Sequence, residues 1–153
     1  MTNKINVLFL CVGNSARSQM AEAFLNNLAP GNFEAFSAGI EPGVLNPLTV
    51  VVMEEVGISM SGHYAKGVDT YLAKKQFSFL ITVCDQAEQK CPTVWPGVDQ
   101  KLHWYFEDPA AFKGSEKEQI NKFREIRDSI QAKVIEFIEV SKQTYFSDLT
   151  KSD

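Results

Sequence analysis

Cys11, Arg17 and Ser18 fall in one short run, Cys11-Val12-Gly13-Asn14-Ser15-Ala16-Arg17-Ser18. A sulfur nucleophile is followed, after five residues, by a guanidinium and then a hydroxyl. The run lies between the apolar stretch Ile5–Leu10 and the helix-patterned Ser18–Leu25, where a buried strand turns into a helix. Backbone N–H groups at a helix start bind anions. The same positive helix end lowers a thiol's pKa, which predicts that Cys11 ionises near neutrality. Arg17 can grip two oxyanion oxygens with its planar fork. Gly13 is expected to make a backbone turn closed to most residues. A lone Cys-x5-Arg arises by chance, and a cysteine ending a strand is often only a small buried hydrophobe. The strand before the run, Gly-Asn-Ser inside it and the helix after it favour chemistry instead: attack by sulfur on a tetrahedral oxyanion.

The elements that must position this loop can be read along the chain. Lys4–Leu10 is apolar nearly throughout, as a central parallel strand is. A first helix is expected over Ser18–Leu28, closed by Pro30-Gly31, and a second strand over Phe33–Ala38, ended by Gly39. A second helix is expected over Asn46–Val56, with Asn46 as its cap, Pro47 in its first turn and Gly57 at its end. Asp69–Lys75 suggests a short helix, Phe77–Cys84 a third strand and Leu102–Tyr105 a fourth. Ser115–Val140 reads as a long helix, with Ile120, Phe123, Ile126, Ile130, Val134 and Phe137 on one apolar face. Strands alternating with helices imply a three-layer α/β fold, a four-stranded parallel sheet with helices on both faces. Ligands of such sheets bind beyond the carboxyl ends of the strands. Cys11, Cys84 and Asp108 each follow an expected strand, so the topology can bring them to one mouth.

Cys84 and Cys91 are separated by the polar, helix-compatible Asp85-Gln86-Ala87-Glu88-Gln89-Lys90. In a helix their Cα atoms stand roughly 10 Å apart, at about 1.5 Å per residue. A disulfide needs about 7 Å or less, so a Cys84–Cys91 bond requires that turn to unwind or loop. The alternative is two incidental cysteines. Asp108 precedes Pro109, which restricts its backbone to extended forms. Spacing alone leaves two readings open, a general acid for a leaving oxygen or a turn-capping aspartate. His63 and His103 share no metal-like spacing with cysteines or carboxylates; His63 reads as a surface loop residue and His103 as sheet packing. Trp95, Trp104, Tyr105 and Phe106 read as core and rim packing.

At 153 residues the chain suits one domain with one core, expected over residues 1–140 with a C-terminal tail at 141–153. A net charge of −4 argues against a general nucleic-acid binder. No apolar run approaches the ~20 residues of a membrane span, and no signal peptide is evident. Three cysteines without a secretion signal favour a reducing cytoplasm over a disulfide framework.

With these residues in view, the chain resembles the thioredoxin-coupled arsenate reductases, which are built on the low-molecular-weight protein tyrosine phosphatase fold. The likeness runs from about Asn3 to Val140. It rests on Cys11–Ser18 with Gln19-Met20-Ala21-Glu22, on Ser37-Ala38-Gly39-Ile40, on Cys84 and Cys91 with Pro92, on His103-Trp104 and on Asp108-Pro109-Ala110. The resemblance implies that Cys11 attacks arsenate, that Arg17 and the loop from Val12 through Gly13, Asn14, Ser15 and Ala16 hold the oxyanion, and that Ser18 stabilises the thiolate. Ser15 and Asn14 would support and shape the loop, and Asp108 would be the general acid. Cys84 would then attack Cys11, Cys91 would attack Cys84, and thioredoxin would reduce the Cys84–Cys91 bond. No cofactor is implied, and the fold implies a monomer. Some relatives bind potassium beside the loop. Asn14, Glu22 and Ser37 match that site, but Lys66 stands in place of its acidic ligand, so an ammonium can substitute for the ion. The competing expectation is a phosphatase that hydrolyses phosphotyrosine or aryl phosphates through a phosphocysteine. Ala110-Ala111-Phe112 after the Asp-Pro, where such phosphatases carry tyrosines, weighs against it, as do Cys84 and Cys91. A binding or redox-sensing module would need neither the acid nor the relay.

Overall fold

The protein is described by a computed structural model, which covers residues 4–71, 73–85, 89 and 96–145. Four strands, β1 (Ile5–Cys11), β2 (Phe33–Gly39), β3 (Phe77–Thr82) and β4 (Val98–His103), form one parallel sheet in the order β2-β1-β3-β4. Three α-helices accompany them among the described residues: α1 (Arg17–Leu28), α2 (Pro47–Glu55) and α3 (Glu116–Tyr145). The arrangement is the expected three-layer α/β fold with an all-parallel sheet.

Parallel strands are buried on both faces because their crossovers cover both. Val7 to Cys11 is accordingly buried without a break. On one face Phe137 of α3 meets Phe33, Phe79 and Trp104, with ring centroids 5.6, 5.2 and 5.6 Å away. Phe36, of opposite parity in β2, packs edge-on against Tyr71 at 5.4 Å. The α2 signals act as expected. The Asn46 side chain accepts the Leu48 N–H at 2.9 Å, Pro47 begins the helix and Gly57 follows its end with φ +81°. Arg127 of α3 then donates to the Val52 carbonyl at 2.9 Å and to Glu55 at 2.8 Å, tying the last turn of α2 to α3.

Several boundaries differ from the sequence reading. The first helix begins at Arg17, inside the loop motif, and β3 stops at Thr82, so Cys84 lies beyond the strand. The fourth strand is Val98–His103 rather than Leu102–Tyr105. It is an edge strand, and its exposed Asp99, Gln100 and Lys101 hide the strand pattern. Trp104 instead packs in the core beside Phe9, at 5.7 Å. Val68–Thr70 is a single 3-10 turn, not a helix reaching Lys75; Ala73, with φ +60°, cannot sit in one. The last helix runs past Val140 to Tyr145, and buried Ser141 keeps that turn against the core. Cys91 and Trp95 lie outside the described residues, as does the tail from residue 146.

Phe137→Ala removes the ring on which three aromatic contacts converge. It is expected to cost about 3–5 kcal/mol, read as a lowered urea midpoint with an unchanged slope.

Candidate active site

The loop between β1 and α1 takes its shape from the segment after β2. The carbonyls of Cys11, Val12, Gly13 and Ser15 accept the N–H groups of Ile40, Glu41, Gly43 and Asn46 at 2.8 to 3.0 Å. Thr49 adds its hydroxyl to the Ser15 carbonyl at 3.1 Å. The loop peptides are trans, so each N–H points opposite the preceding carbonyl. The N–H groups of Val12, Gly13, Asn14 and Ala16 are therefore turned away from that segment, and the Asn14 N–H lies 3.1 Å from the Cys11 sulfur. No side chain caps α1. Its first amides add to the same donor set. The approach of the two segments is close: a Cβ on Gly39 would stand 2.6 Å from the Val12 carbonyl oxygen, so only glycine fits there.

The left-handed turn in the loop belongs to Asn14, with φ 52°, and not to Gly13 as expected. Asparagine tolerates this conformation better than most residues. Here its fully buried side chain is also bonded at both ends. Oδ1 accepts the Lys66 N–H at 2.8 Å and Gln19 Nε2 at 3.0 Å, and Nδ2 donates to Ser18 Oγ at 2.8 Å. Because Ser18 Oγ accepts from Asn14, its own hydrogen is free for the Cys11 sulfur 2.8 Å away. Burial nonetheless pushes the Cys11 thiol above its ordinary pKa, against the opposing pull of Ser18, the Asn14 amide and Arg17. This corrects the expectation of a thiol lowered by its helix end: desolvation of a residue only 3% exposed outweighs the donors around it.

Arg17 reaches out of the loop. Its Nη1 donates to the Phe106 carbonyl at 3.0 Å and its Nη2 lies 3.7 Å from Asp108 Oδ2. Of the two readings left open by its spacing, the structure shows the turn cap. One oxygen caps the turn Pro109–Ala111 through the Ala110 N–H at 3.0 Å, and the other faces Arg17. Arg17, Cys84, Asp85, Tyr105, Phe106, Asp108 and Ala111 line a cavity of about 260 Å³. The topology thus brings Arg17, Asp108 and Cys84 to one mouth beyond the strand ends, beside the loop that holds Cys11. Such an arrangement can bind a tetrahedral oxyanion, attack it with sulfur, protonate a leaving oxygen and present a second thiol.

A second group of side chains lies beside the loop, and of these the sequence reading did not connect His63 or Tyr64 with it. Gln19 Nε2 also donates to the Tyr64 carbonyl at 2.8 Å. His63, expected on the surface, is half-buried: its Nδ1 lies 3.0 Å from Gln19 Oε1 and 3.3 Å from Glu22. Burial and then the neighbouring Lys66 charge lower its pKa, so the neutral ring can donate from Nδ1 to the Gln19 carbonyl. Ser37 donates to Glu22 at 3.0 Å, and Lys66 Nζ donates to the Tyr64 carbonyl at 3.0 Å and lies over the Tyr64 ring. Burial raises the Glu22 pKa and lowers that of Lys66, and each charge offsets the other's shift. His103 likewise does more than pack the sheet, bridging Thr82 and Asp85 at 2.7 and 3.0 Å.

Residues 6–146 match the low molecular weight phosphotyrosine protein phosphatase family, and the chain belongs to it. Within that class its relatives carry a narrower name. It is 40% identical to an arsenate reductase of Bacillus subtilis (strain 168), over 93% of this chain and all of the relative. A solved structure of an arsenate reductase in the phosphate binding state superposes with a TM-score of 0.75 at 30% identity, covering 88% of this chain and 97% of that one. The thioredoxin-dependent arsenate reductase Cg_ArsC1' of Corynebacterium glutamicum superposes with a TM-score of 0.72 at 26% identity, over 92% of this chain and 63% of that longer one.

Two outcomes are expected. Ser18→Ala withdraws a donor to a charged sulfur, worth about 1.5–3 kcal/mol. The Cys11 ionisation should therefore move up by roughly 1–2 pH units, read from the pH dependence of alkylation in a protein lacking the other two cysteines. An unmoved profile would show that the hydroxyl does not stabilise the thiolate. Activity should also be the same in potassium and sodium salts at equal ionic strength, because Lys66 already places a cation beside Glu22; clear stimulation by potassium would contradict this.

Proposed function

We propose that this protein reduces arsenate to arsenite with electrons from thioredoxin. The observation that carries the reading is Cys84 in the wall of the cavity that also holds Arg17 and Asp108. A phosphatase has no use for a second thiol there. The naming of the relatives supports the same choice.

In this reading the loop amides from Val12 to Arg17, with the Arg17 guanidinium, hold arsenate against the Cys11 sulfur. Ser15 supports the loop through its carbonyl contacts, and Asn14 and Ser18 stabilise the thiolate. The thiolate bonds to arsenic, and the departing hydroxyl takes the Asp108 proton and leaves as water. Cys84 loses its thiol proton to solvent and attacks the Cys11 sulfur. A sulfur–sulfur bond forms, the sulfur–arsenic electron pair stays on arsenic, and arsenite departs two electrons reduced. Cys91 then attacks Cys84, frees the Cys11 thiolate and leaves a Cys84–Cys91 disulfide. The thioredoxin dithiol reduces that bond and is itself oxidised to its disulfide. No cofactor is needed. The enzyme acts as a monomer in a reducing cytoplasm, its catalytic unit reaching past residue 140 to the end of α3. Slow hydrolysis of aryl phosphates accompanies the reaction, because phosphate and arsenate share shape and charge and Cys11, Arg17 and Asp108 serve both.

With thioredoxin, thioredoxin reductase and NADPH, the wild type should oxidise NADPH continuously on addition of arsenate, and Cys91→Ser should stop after at most one turnover. Absence of NADPH oxidation alongside brisk hydrolysis of an aryl phosphate would make the protein a phosphatase.

A further inference from the structure

His103 stands at the carboxyl end of β4, in register with Thr82 at the end of β3. Its two ring nitrogens face different partners. Nδ1 is 2.7 Å from Thr82 Oγ1 and Nε2 is 3.0 Å from Asp85 Oδ1. Cys84 lies between those partners in sequence, and both Cys84 and Asp85 line the oxyanion cavity. The Cys84 turn is thus pinned on its two sides by one imidazole. The chain is held there by backbone as well: Val83 donates to the Leu10 carbonyl at 2.9 Å and Trp104 to the Thr82 carbonyl at 2.8 Å. Those bonds fix residues up to Val83. Asp85 is the first side chain beyond Cys84, and the imidazole is what ties it to the sheet.

The proton inventory shows why histidine suits this place. A carboxylate only accepts, so Nε2 must carry hydrogen. In the neutral ring Nδ1 is then an acceptor, and the Thr82 hydroxyl donates to it. Both ends of the bridge are then satisfied.

We propose that His103 is a positioning residue for the second thiol: through Asp85 it holds the turn bearing Cys84 in the cavity wall, where that sulfur can reach the arsenic-loaded Cys11. The inference rests on the reductase reading and deepens it. His103 touches neither the oxyanion loop nor Arg17 among the described contacts, so chemistry that needs only Cys11, Arg17 and Asp108 does not depend on it. Formation of the Cys11–Cys84 bond, as the sulfur–arsenic pair departs on arsenite, does depend on it. Small displacements of a reacting group carry large rate penalties.

The test compares two reactions of the full-length protein. One is the rate at which thiols are lost on rapid mixing with arsenate; the other is hydrolysis of p-nitrophenyl phosphate. His103→Ala should slow thiol loss by roughly tenfold or more while hydrolysis stays within about twofold of wild type. The hydrolysis also reports that each variant is folded. His103→Gln keeps a donor toward Asp85 and should recover most of the rate. Variants that lose neither activity, or both in parallel, would overturn the assignment, as would a glutamine variant no better than alanine. A wild type that loses no thiol with arsenate would instead sink the reductase reading itself, and this one with it.

Discussion

Everything at this site depends on keeping a sulfur buried and yet able to carry charge. Cys11 is almost sealed from water, and burial works against its ionised form. The opposing forces are few and local: a hydroxyl, the amides of Asn14 and Ser18, and a guanidinium. Two of them are aimed through Asn14. Its left-handed backbone turns its own amide to the sulfur, and its side chain orients Ser18. A side chain that left Ser18 Oγ without a donor would free the hydroxyl to rotate away. The Lys66 amide and Gln19 hold Asn14 in turn, so a strained residue persists because its neighbours over-determine it.

The sheet supplies the second constraint. Strand order β2-β1-β3-β4 puts β1 at the centre, with β2 and β3 on either side. The chain leaving β2 gives the N–H groups that turn the loop's carbonyls outward. The chain leaving β3 gives Cys84, and the chain leaving β4 gives His103, Phe106 and Asp108. Three consecutive strand ends therefore assemble one site, each through contacts within a few residues of its end. Glu22 and Lys66 form a second buried layer beneath the loop, in which opposite charges offset each other's burial.

The chemistry was legible in the sequence where it is contiguous. Cys11 to Ser18 carries nucleophile, cradle and guanidinium in a single strand-to-helix turn, and Asn46-Pro47 announces α2 through local capping. What could not be read comes from long-range contact. His63 meets Gln19 across 44 residues, and no periodicity signals that. Strand β4 escaped because an edge strand with a polar face lacks the apolar run of a central one. The thiol's ionisation was misjudged because the helix end is visible in sequence whereas desolvation depends on the whole packed core. Gly13 was credited with a turn that Asn14 makes, since glycine is the usual marker of such a conformation and the side-chain bonds that favour asparagine are tertiary.

The most direct measurement is the position of the disulfide after one equivalent of arsenate, with free thiols alkylated on quenching and the peptides mapped by mass spectrometry. The account predicts a Cys84–Cys91 bond in the wild type and a Cys11–Cys84 bond in Cys91→Ser, with arsenite released in equal amount. All three cysteines recovered alkylated would contradict it, and so would a bond that omits Cys84.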